Sequence, residues 1–225
     1  MKSIEEYILE VEFLGKALGK NCEVVLHDLT RPDNSIIAIA NGELSGRTVG
    51  GPVTDFALKI LKRGKMENKP FIANYHGKNM NGNICRSSSY FIHDDAGKII
   101  GVLCINIDIT AFIDARKFLT EKIICDNTEE NKLTRQENFH NPGNVFENFQ
   151  GKVDDVIENM LDAVLQKYPV NSARLSQDER LAIVDELNEN GLFLLKGGIA
   201  VLAERLEVSE PTVYRYLNKI KKDSK

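Results

Sequence analysis

The sequence contains no tryptophan, and aromatic residues make up only 7% of its 225 positions. A haem or flavin group, which depends on stacked aromatic partners, would find few of them in this chain. His27, His76 and His93 are the imidazoles available in the first half, and none lies in a recognisable cofactor-binding motif. We therefore predict that the protein uses no cofactor.

Cysteine is scarce as well, and its spacing argues against a metal site. The four cysteines form no CxxC motif and no Cys/His cluster; they are Cys22, Cys85, Cys104 and Cys125. Cys104 lies in the most apolar stretch of the chain, where a small buried thiol is the usual role. The sequence has no nucleophile elbow, and the glycines from Gly46 to Gly51 lack the lysine of a phosphate-binding loop. We predict that the protein is not an enzyme and that its thiols are reduced.

No apolar run approaches the length of a membrane span, and residues 1 to 6 carry acids where a signal peptide has its apolar core. These features predict a cytoplasmic protein that does not enter a membrane. The formal net charge is -4, so the chain as a whole is not a general nucleic-acid binder. From residue 196 onward, however, seven bases face four acids. Such a local excess suits one DNA-binding module within an acidic chain.

Two amphipathic patterns close together near the C-terminus predict a helix-turn-helix over residues 198–220. The first apolar stripe has the spacing i, i+3, i+4, i+7 and the second follows after a short gap; they comprise Ile199, Leu202, Ala203 and Leu206, then Val213, Tyr216, Leu217 and Ile220. Ser209 stands where a hydroxyl can cap the second helix, and Pro211 lies in its first turn. In this motif the second helix enters the major groove of DNA.

The opposite side of the second predicted helix carries side chains suited to reading DNA. Arg215 can bind a guanine edge with two hydrogen bonds, and Asn218 can do the same for adenine. With Pro211 and Tyr214 they form the predicted base-facing set. Three further residues are predicted to hold phosphates, namely Ser209, Thr212 and Lys219.

The spacing also resembles that of the helix-turn-helix in bacterial repressors, through Ala203, Val208-Ser209, Thr212-Val213 and Arg215. One departure is Glu207, which stands where those families usually have a turn glycine. If this position is left-handed, the glutamate costs roughly 1 kcal/mol relative to glycine. The alternative reading is a helical hairpin that packs onto another protein surface and does not touch DNA.

Residues 1–125 show alternating helical and β-type patterns. The first predicted element is a helix from Ser3 to Leu18 with a Ser3–Glu6 capping box. Strands at 23–27 and 35–40 follow, and then a helix at 56–61 capped by Thr54. The remaining elements are strands at 71–75, 88–93 and 99–109 and a helix at 110–124. Phe112, Ile113 and Leu119 are the predicted buried residues of the last helix. This order is similar to that of a PAS-type domain, in which a five-stranded antiparallel sheet curls around a pocket.

Several short segments resemble the YheO-like family of bacterial transcriptional regulators. They include Val25-Leu26-His27-Asp28-Leu29, Ser45-Gly46-Arg47, Asn74-Tyr75, Arg86-Ser87-Ser88-Ser89 and Leu103-Cys104-Ile105-Asn106, in that order. The resemblance covers about residues 3–120 and 160–222. It implies an α+β chain with a PAS-like N-terminal domain and an all-α, helix-turn-helix C-terminal domain.

These patterns predict two domains joined by a linker. Residues 1–125 form the PAS-like sensor, and residues 152–225 form the helical DNA-binding domain. The segment 126–151 is rich in Asn, Glu and Gln and poor in aliphatic residues, which is typical of a linker. Within the C-terminal domain, Ser176 and Glu179 form a second predicted capping box.

A small set of polar residues is the candidate effector pocket. Arg47 and Arg86 each lie in a family-like segment, and an arginine at a pocket mouth can grip a carboxylate, although a surface salt bridge is the simpler role. His27 and Asp28 lie at a strand end, where a pocket-lining role and a structural hydrogen bond are equally reasonable. Asn74 and Ser88 complete the set. Alternation along the strand allows only Ser88, or only Ser87 with Ser89, to face the cavity.

The predicted function is a DNA-binding transcriptional regulator that senses a small anionic or amino-acid-like effector, or a partner, through its PAS-like domain. Its expected partners are double-stranded DNA and a second copy of itself, in a homodimer or higher homo-oligomer, because one recognition helix reads only a few base pairs. The alternative is a ligand-binding module or small-molecule enzyme whose C-terminal helices serve only assembly. The sequence does not identify the effector or the operator.

Overall fold

One curled, six-stranded sheet forms the N-terminal part of the protein, in the order β2-β1-β5-β4-β3-β6. The computed structural model describes residues 3–63, 70–122, 146–168 and 175–223. The strands are β1 (Cys22–Asp28), β2 (Ile36–Ala40), β3 (Phe71–Lys78), β4 (Ile84–His93), β5 (Ile99–Asp108) and β6 (Phe146–Asn148). The first five pair antiparallel, and β6 runs parallel to β3. The predicted PAS-like α+β fold is confirmed, with one strand more than expected.

The two faces of the sheet have different partners. Helix α1 (Ile8–Leu18) follows a short 3-10 turn and packs on the outer face, where Val24 and Leu26 are fully buried beside its Val11. Helix α2 (Asp55–Arg63) belongs to the core on the inner face, which contains Val25 and Cys104. Because side chains alternate along a strand, each strand contributes one set of residues to each core.

Local sequence signals predicted most of these elements, but two details within them differ: the cap at Ser3 and the burial of residues on α3. The Ser3 side chain makes no capping bond, whereas Ser176 and Glu179 form both bonds of the predicted capping box. Helix α3 (Thr110–Lys122) forms as predicted, but Phe112 is 71% exposed and Leu119 is 49% exposed. Ile113 is half-buried. The expectation that Phe112, Ile113 and Leu119 are buried is therefore wrong, because no other described element covers that side of the helix.

The C-terminal part is helical and shares a core with the sheet domain. Its helices are α4 (Val153–Leu165), α5 (Gln177–Glu189), α6 (Gly198–Arg205) and α7 (Glu210–Asp223). One continuous hydrophobic cluster runs from the inner face of the sheet through α2 to α7. Gly191 packs directly on the backbone of Leu58 in α2, and the Lys196 N–H donates to Asp33 at 3.0 Å.

The segment predicted as a linker includes an ordered end. Residues 126–145 lie outside the described residues, but Phe146–Asn148 form β6 at the edge of the sheet. Composition favours a linker because the segment has few aliphatic residues. Its last residues are held instead by backbone pairing with β3 and by Asp55 of α2, whose carboxylate accepts from the Asn148 N–H and side-chain amide at 3.1 Å each.

Candidate DNA-binding surface and polar chamber

A tight turn joins α6 and α7. Glu207 has φ +53°, so the position that carries glycine in similar motifs is left-handed here as well. The Val208 N–H donates to the Ala203 carbonyl at 2.9 Å and closes the first helix. The Ser209 carbonyl accepts from the Thr212 N–H at 2.9 Å, at the start of the second. The pair has the connection that the sequence predicts.

Helix α7 divides cleanly into a buried and an exposed side. Val213 is fully buried and Tyr216 is 5% exposed in the helical core, whereas Tyr214 is 52% exposed. The predicted DNA-contacting residues other than Thr212 are all exposed in the chain, namely Ser209, Pro211, Tyr214, Arg215, Asn218 and Lys219. Thr212 is half-buried, and its hydroxyl lies 3.0 Å from that of Ser209. One face of the helix is therefore docked and the other is free to contact a ligand.

Arg205 belongs to the basic C-terminal region but serves a different purpose. Its guanidinium donates to Glu158 at 2.9 Å and to Asp162 at 2.7 Å, both on α4. These two carboxylates raise the pKa of Arg205. The pairing ties the first helix of the motif to α4, so this charge is already engaged within the protein.

A row of polar side chains crosses the inner face of the sheet. Backbone register places Glu23 opposite Asn106, Asn106 opposite Ser87, and Ser87 opposite Tyr75, across β1, β5, β4 and β3. All four are at most 1% exposed. We refer to this buried row, together with Arg47 and Thr54, as the polar chamber.

Arg47 reaches the chamber from the loop after β2 and is 2% exposed. Its guanidinium forms an ion pair with Glu23 and donates through Nε to the Ser45 hydroxyl at 3.1 Å. Burial alone would lower the pKa of Arg47, but the charges of Glu23 and Glu147 outweigh this effect and raise the pKa overall. Among the described residues, Arg47 Nη1, Asn106 Oδ1 and Ser87 Oγ are buried without a hydrogen-bond partner.

The end of the predicted linker fills part of this chamber. Glu147 on β6 is 2% exposed and accepts hydrogen bonds from Thr54 Oγ1 at 2.5 Å and from the Tyr75 hydroxyl at 2.7 Å. Phe149 is 1% exposed, and its ring centroid lies 4.5 Å from the guanidinium carbon of Arg47. Burial raises the pKa of Glu147 to about 6, although Thr54, Arg47 and Tyr75 each act to lower it.

Cys104 also faces the chamber, where it contacts the Ser89 hydroxyl at 3.1 Å. Burial, followed by the charge of Glu147, raises the pKa of this thiol to about 12. The group is therefore protonated near neutral pH. A protonated, fully surrounded thiol is a poor nucleophile, as expected for a structural cysteine.

The six predicted effector residues do not form one site. His27 is buried on the inner face, where its Nδ1 lies 2.8 Å from Ser35 Oγ, and burial lowers its pKa to about 3, with the charge of Arg47 acting in the same direction. Asp28 instead organises the following loop by accepting from the Thr30 backbone and hydroxyl. Burial alone would raise the pKa of Asp28, but these bonds and Arg31 lower it overall.

The other four residues of the predicted effector pocket lie on two sides of the sheet. Arg86 is exposed and Ser88 half-exposed on the outer face, because they alternate with the buried Ser87 and Ser89. Asn74 is exposed at a bulge with φ +62°, and its N–H donates to Ser88 Oγ at 3.2 Å. Arg47 is therefore the only one of the two predicted arginines on the chamber side. It lies inside a buried ion pair instead of at a pocket mouth.

Sequence reasoning missed Glu23, Tyr75 and Glu147. Glu23 had a usable signal, since an acid within an apolar strand that is buried on both faces needs a charged partner. Glu147 had none, because its position depends on pairing between β6 and a strand about seventy residues earlier. The partners of Arg47 could thus be found only from the tertiary structure.

Comparison with known proteins places this architecture in a family. The YheO-like PAS domain family matches residues 1–123, and a helix-turn-helix domain family matches residues 156–218. The chain belongs to the YheO-like family. This membership confirms the resemblance that the short N-terminal segments indicated.

Three relatives of the YheO-like chain extend over almost its whole length. An uncharacterised protein of Haemophilus influenzae is 30% identical, covering 98% of this chain and 92% of the relative. The uncharacterised protein YheO of Escherichia coli K12 is 27% identical, covering 97% and 85%. The transcriptional regulator DauR of Pseudomonas aeruginosa is 28% identical, covering 97% and 95%.

The described residues contain neither a candidate membrane span nor a candidate metal site. None of the helices in this part of the chain is both long and apolar enough to cross a membrane. In the same residues, His, Cys, Asp and Glu side chains form no group of three or more that could hold a metal ion.

Proposed function

We propose that this YheO-like protein is a DNA-binding transcriptional regulator whose PAS-like domain senses a small effector. The observation that carries the DNA-binding part is the two-sided helix α7, with Val213 and Tyr216 buried and Tyr214, Arg215 and Asn218 exposed. The helix-turn-helix match and the regulator DauR among the relatives support it. The polar chamber in the sheet domain supports the sensing part, because it contains buried polar atoms without hydrogen-bond partners.

The roles on α7 divide between bases and phosphates. Arg215 and Asn218, with Tyr214 and Pro211, face the bases, and Ser209, Thr212 and Lys219 hold phosphates. Arg215→Ala should therefore cost roughly 1 to 3 kcal/mol on the preferred sequence and relax the sequence preference. Lys219→Ala should weaken binding to all sequences by a similar factor and reduce its dependence on salt. The measurement is a gel shift on a sequence selected from genomic fragments and on random DNA.

Lys16→Ala is the matched control, because it removes one exposed positive charge from α1 while leaving the helix-turn-helix unchanged. It should bind both DNAs like the unmodified protein. Equal losses on selected and random DNA for Arg215→Ala and Lys219→Ala would contradict the division of roles. The absence of any retained band at low salt would favour the rival function, in which the C-terminal helices serve only assembly.

A homodimer is part of the proposal, because two recognition helices related by a two-fold axis read both halves of a palindrome. The exposed apolar side chains on two helices support self-association, since a monomer gains nothing by exposing them. They include Leu9 and Phe13 on α1, which are 74% and 67% exposed, and Phe112 on α3, which is 71% exposed. Sedimentation of the full chain at micromolar concentration measures the mass directly.

The domain division is proposed as residues 1–125 for sensing and 152–225 for DNA binding, in a protein that acts in the cytoplasm without catalysis. Sensing is tested by thermal shift of the full chain against amino acids and organic acids. A ligand at a hundred times its dissociation constant adds about 2.7 kcal/mol to folding stability, which such a screen detects readily. A set of such compounds that leaves the melting temperature unchanged would remove the support for a small effector of this chemistry.

A further inference from the structure

Glu147 and Phe149 occupy the polar chamber in the manner of a bound molecule. The Glu147 carboxylate accepts from two hydroxyls that belong to other elements, Thr54 before α2 and Tyr75 on β3. The Phe149 ring stacks against the Arg47 guanidinium at 4.5 Å. It also fills the space above Gly77, where an added Cβ would lie 2.6 Å from the ring. A carboxylate and an aromatic ring thus each have a fitted place.

The segment that carries these groups is attached to the sheet along a single edge. Only three residues of β6 pair with β3, and they form the edge of the sheet. A three-residue edge strand opens locally at a lower free energy than the central strands of the sheet, so a competing ligand can take its place.

The chamber retains capacity for further hydrogen bonds. Arg47 Nη1 is an unused donor, and Asn106 Oδ1 and Ser87 Oγ are unused acceptors among the described residues. An open depression of about 420 Å³, lined by residues 39–49, reaches Arg47 from the loop side. The Arg47 side chain is only 1% exposed, so a ligand reaches its guanidinium only once Phe149 has moved away.

The strand also connects the chamber to the DNA-binding helices. Phe149 lies four residues before Val153, the first residue of α4. Val156 and Leu161 of α4 are buried in the core shared with α6 and α7, and Arg205 of α6 pairs with α4 directly. Release of β6 from the sheet therefore removes one of the supports that fix α4 relative to the sensor domain.

We infer that the polar chamber is a binding site for a small carboxylic acid bearing an aromatic or apolar group, and that Glu147 and Phe149 fill it as a built-in substitute until the ligand displaces β6. The inference rests on the proposed sensing function and names its ligand class and its means of control. The ligand carboxylate takes the place of Glu147 between Thr54, Tyr75 and Arg47. Its apolar group takes the place of the Phe149 ring.

The absence of tryptophan from the chain gives a direct test in the full-length protein. Phe149→Trp places a single indole in the chamber, and titration with 3-phenylpropionate, which carries both groups, should shift its emission to longer wavelength as the strand leaves. The uncharged 3-phenylpropionamide should need at least roughly tenfold more ligand, because it cannot pair with Arg47. Phe118→Trp is the matched control on α3, where the side chain is 60% exposed and no shift is expected.

A second variant tests the competition itself. Glu147→Gln keeps the shape of the side chain but replaces one carboxylate oxygen, which accepts from Thr54 or Tyr75, by an amide NH2 group that cannot accept. The segment should therefore compete less well, and the apparent dissociation constant for 3-phenylpropionate should fall about tenfold. Unchanged indole emission of the Phe149→Trp variant at millimolar acid, equal binding of acid and amide, or no effect of Glu147→Gln would each overturn the inference.

These results are independent of the Arg215 experiment. Loss of DNA binding there would remove the proposed function, whereas sequence-specific DNA binding with no response from the Phe149→Trp indole would remove only this inference.

Discussion

At the scale of single residues, burial of charge on the inner face is the main determinant of behaviour. Glu23 and Arg47 are both at most 2% exposed and neutralise each other across twenty-four positions of sequence. Neither residue can be removed alone without leaving an uncompensated buried charge, which typically costs about 3 to 5 kcal/mol. The same environment holds His27 in its neutral form.

His27 predicts a definite dependence of stability on pH. Because its pKa falls from 6.5 to about 3 on folding, the unfolded chain takes up a proton below pH 6.5 and the folded chain does not. The contribution of His27 to the free energy of unfolding is therefore complete above pH 6.5 and is lost as the pH falls towards 3. Between pH 7.5 and 5.5 we expect a loss of about 1.4 kcal/mol from this residue.

The measurement is urea unfolding at both pH values for the unmodified protein and for His27→Asn. The difference between the two proteins in this pH-dependent change of unfolding free energy isolates the effect of His27. Glu147 contributes a change of the opposite sign, but it does so equally in both proteins. The pKa of Glu147 rises from 4.5 to about 6 on folding, so protonation of Glu147 at lower pH favours the folded form. An equal change in both proteins would show that His27 is not held neutral by folding.

At the scale of elements, the helix-turn-helix depends on one strained position. Glu207 has φ +53° in the turn between α6 and α7. A side chain in the left-handed region costs roughly 1 kcal/mol or more, which glycine avoids. The turn keeps its geometry because Leu206 and Val213, both fully buried, fix the helices on either side.

Glu207→Gly should therefore stabilise the protein by up to about 1 kcal/mol. Glu204→Gly is the matched control, because it makes the same substitution at an exposed position inside α6. There glycine should destabilise by about 1 kcal/mol. Urea unfolding of both variants measures the two free energies, and a loss of stability in Glu207→Gly would contradict the strain argument.

At the scale of the whole molecule, the PAS-like part and the C-terminal helical part share one core. Gly191 has φ +86°, and an added Cβ would lie 3.0 Å from the Leu58 carbonyl oxygen of α2. The contact leaves no room for a side chain between the two parts. Because the cluster is continuous from β1 to α7, we expect the described parts to unfold in one cooperative transition.

Gly191→Ala should destabilise the protein by more than Gly50→Ala. Both glycines have positive φ, so both substitutions bear the conformational cost of about 1 kcal/mol. Only Gly191 has neighbours within 4 Å, whereas the space around Gly50 is empty at that distance. Calorimetry should show a larger fall in melting temperature for Gly191→Ala, with the transition broadened or split. Equal falls would show that the contact with Leu58 does not join the two parts.

The sequence by itself determined the elements whose signals are local. The apolar stripes around Leu202 and Val213 specify two helices and leave Tyr214, Arg215 and Asn218 outside, since a period of about 3.6 residues fixes both faces at once. The Ser176 capping box and the hairpin between β4 and β5 follow equally from neighbouring residues. The exposed side of α3 did not follow, because an amphipathic pattern does not say whether a partner covers it.

Only the tertiary structure decided the composition of the chamber. Strand alternation permits either set of serines on β4 to face inward, and pairing with β5 and β3 selects Ser87 and Ser89. The choice carries Arg86 to the outer face. The place of Glu147 depends on a parallel pairing between residues about seventy positions apart, for which no local pattern exists. Contacts over such separations arise from the packing of whole elements, so local residue patterns cannot encode them.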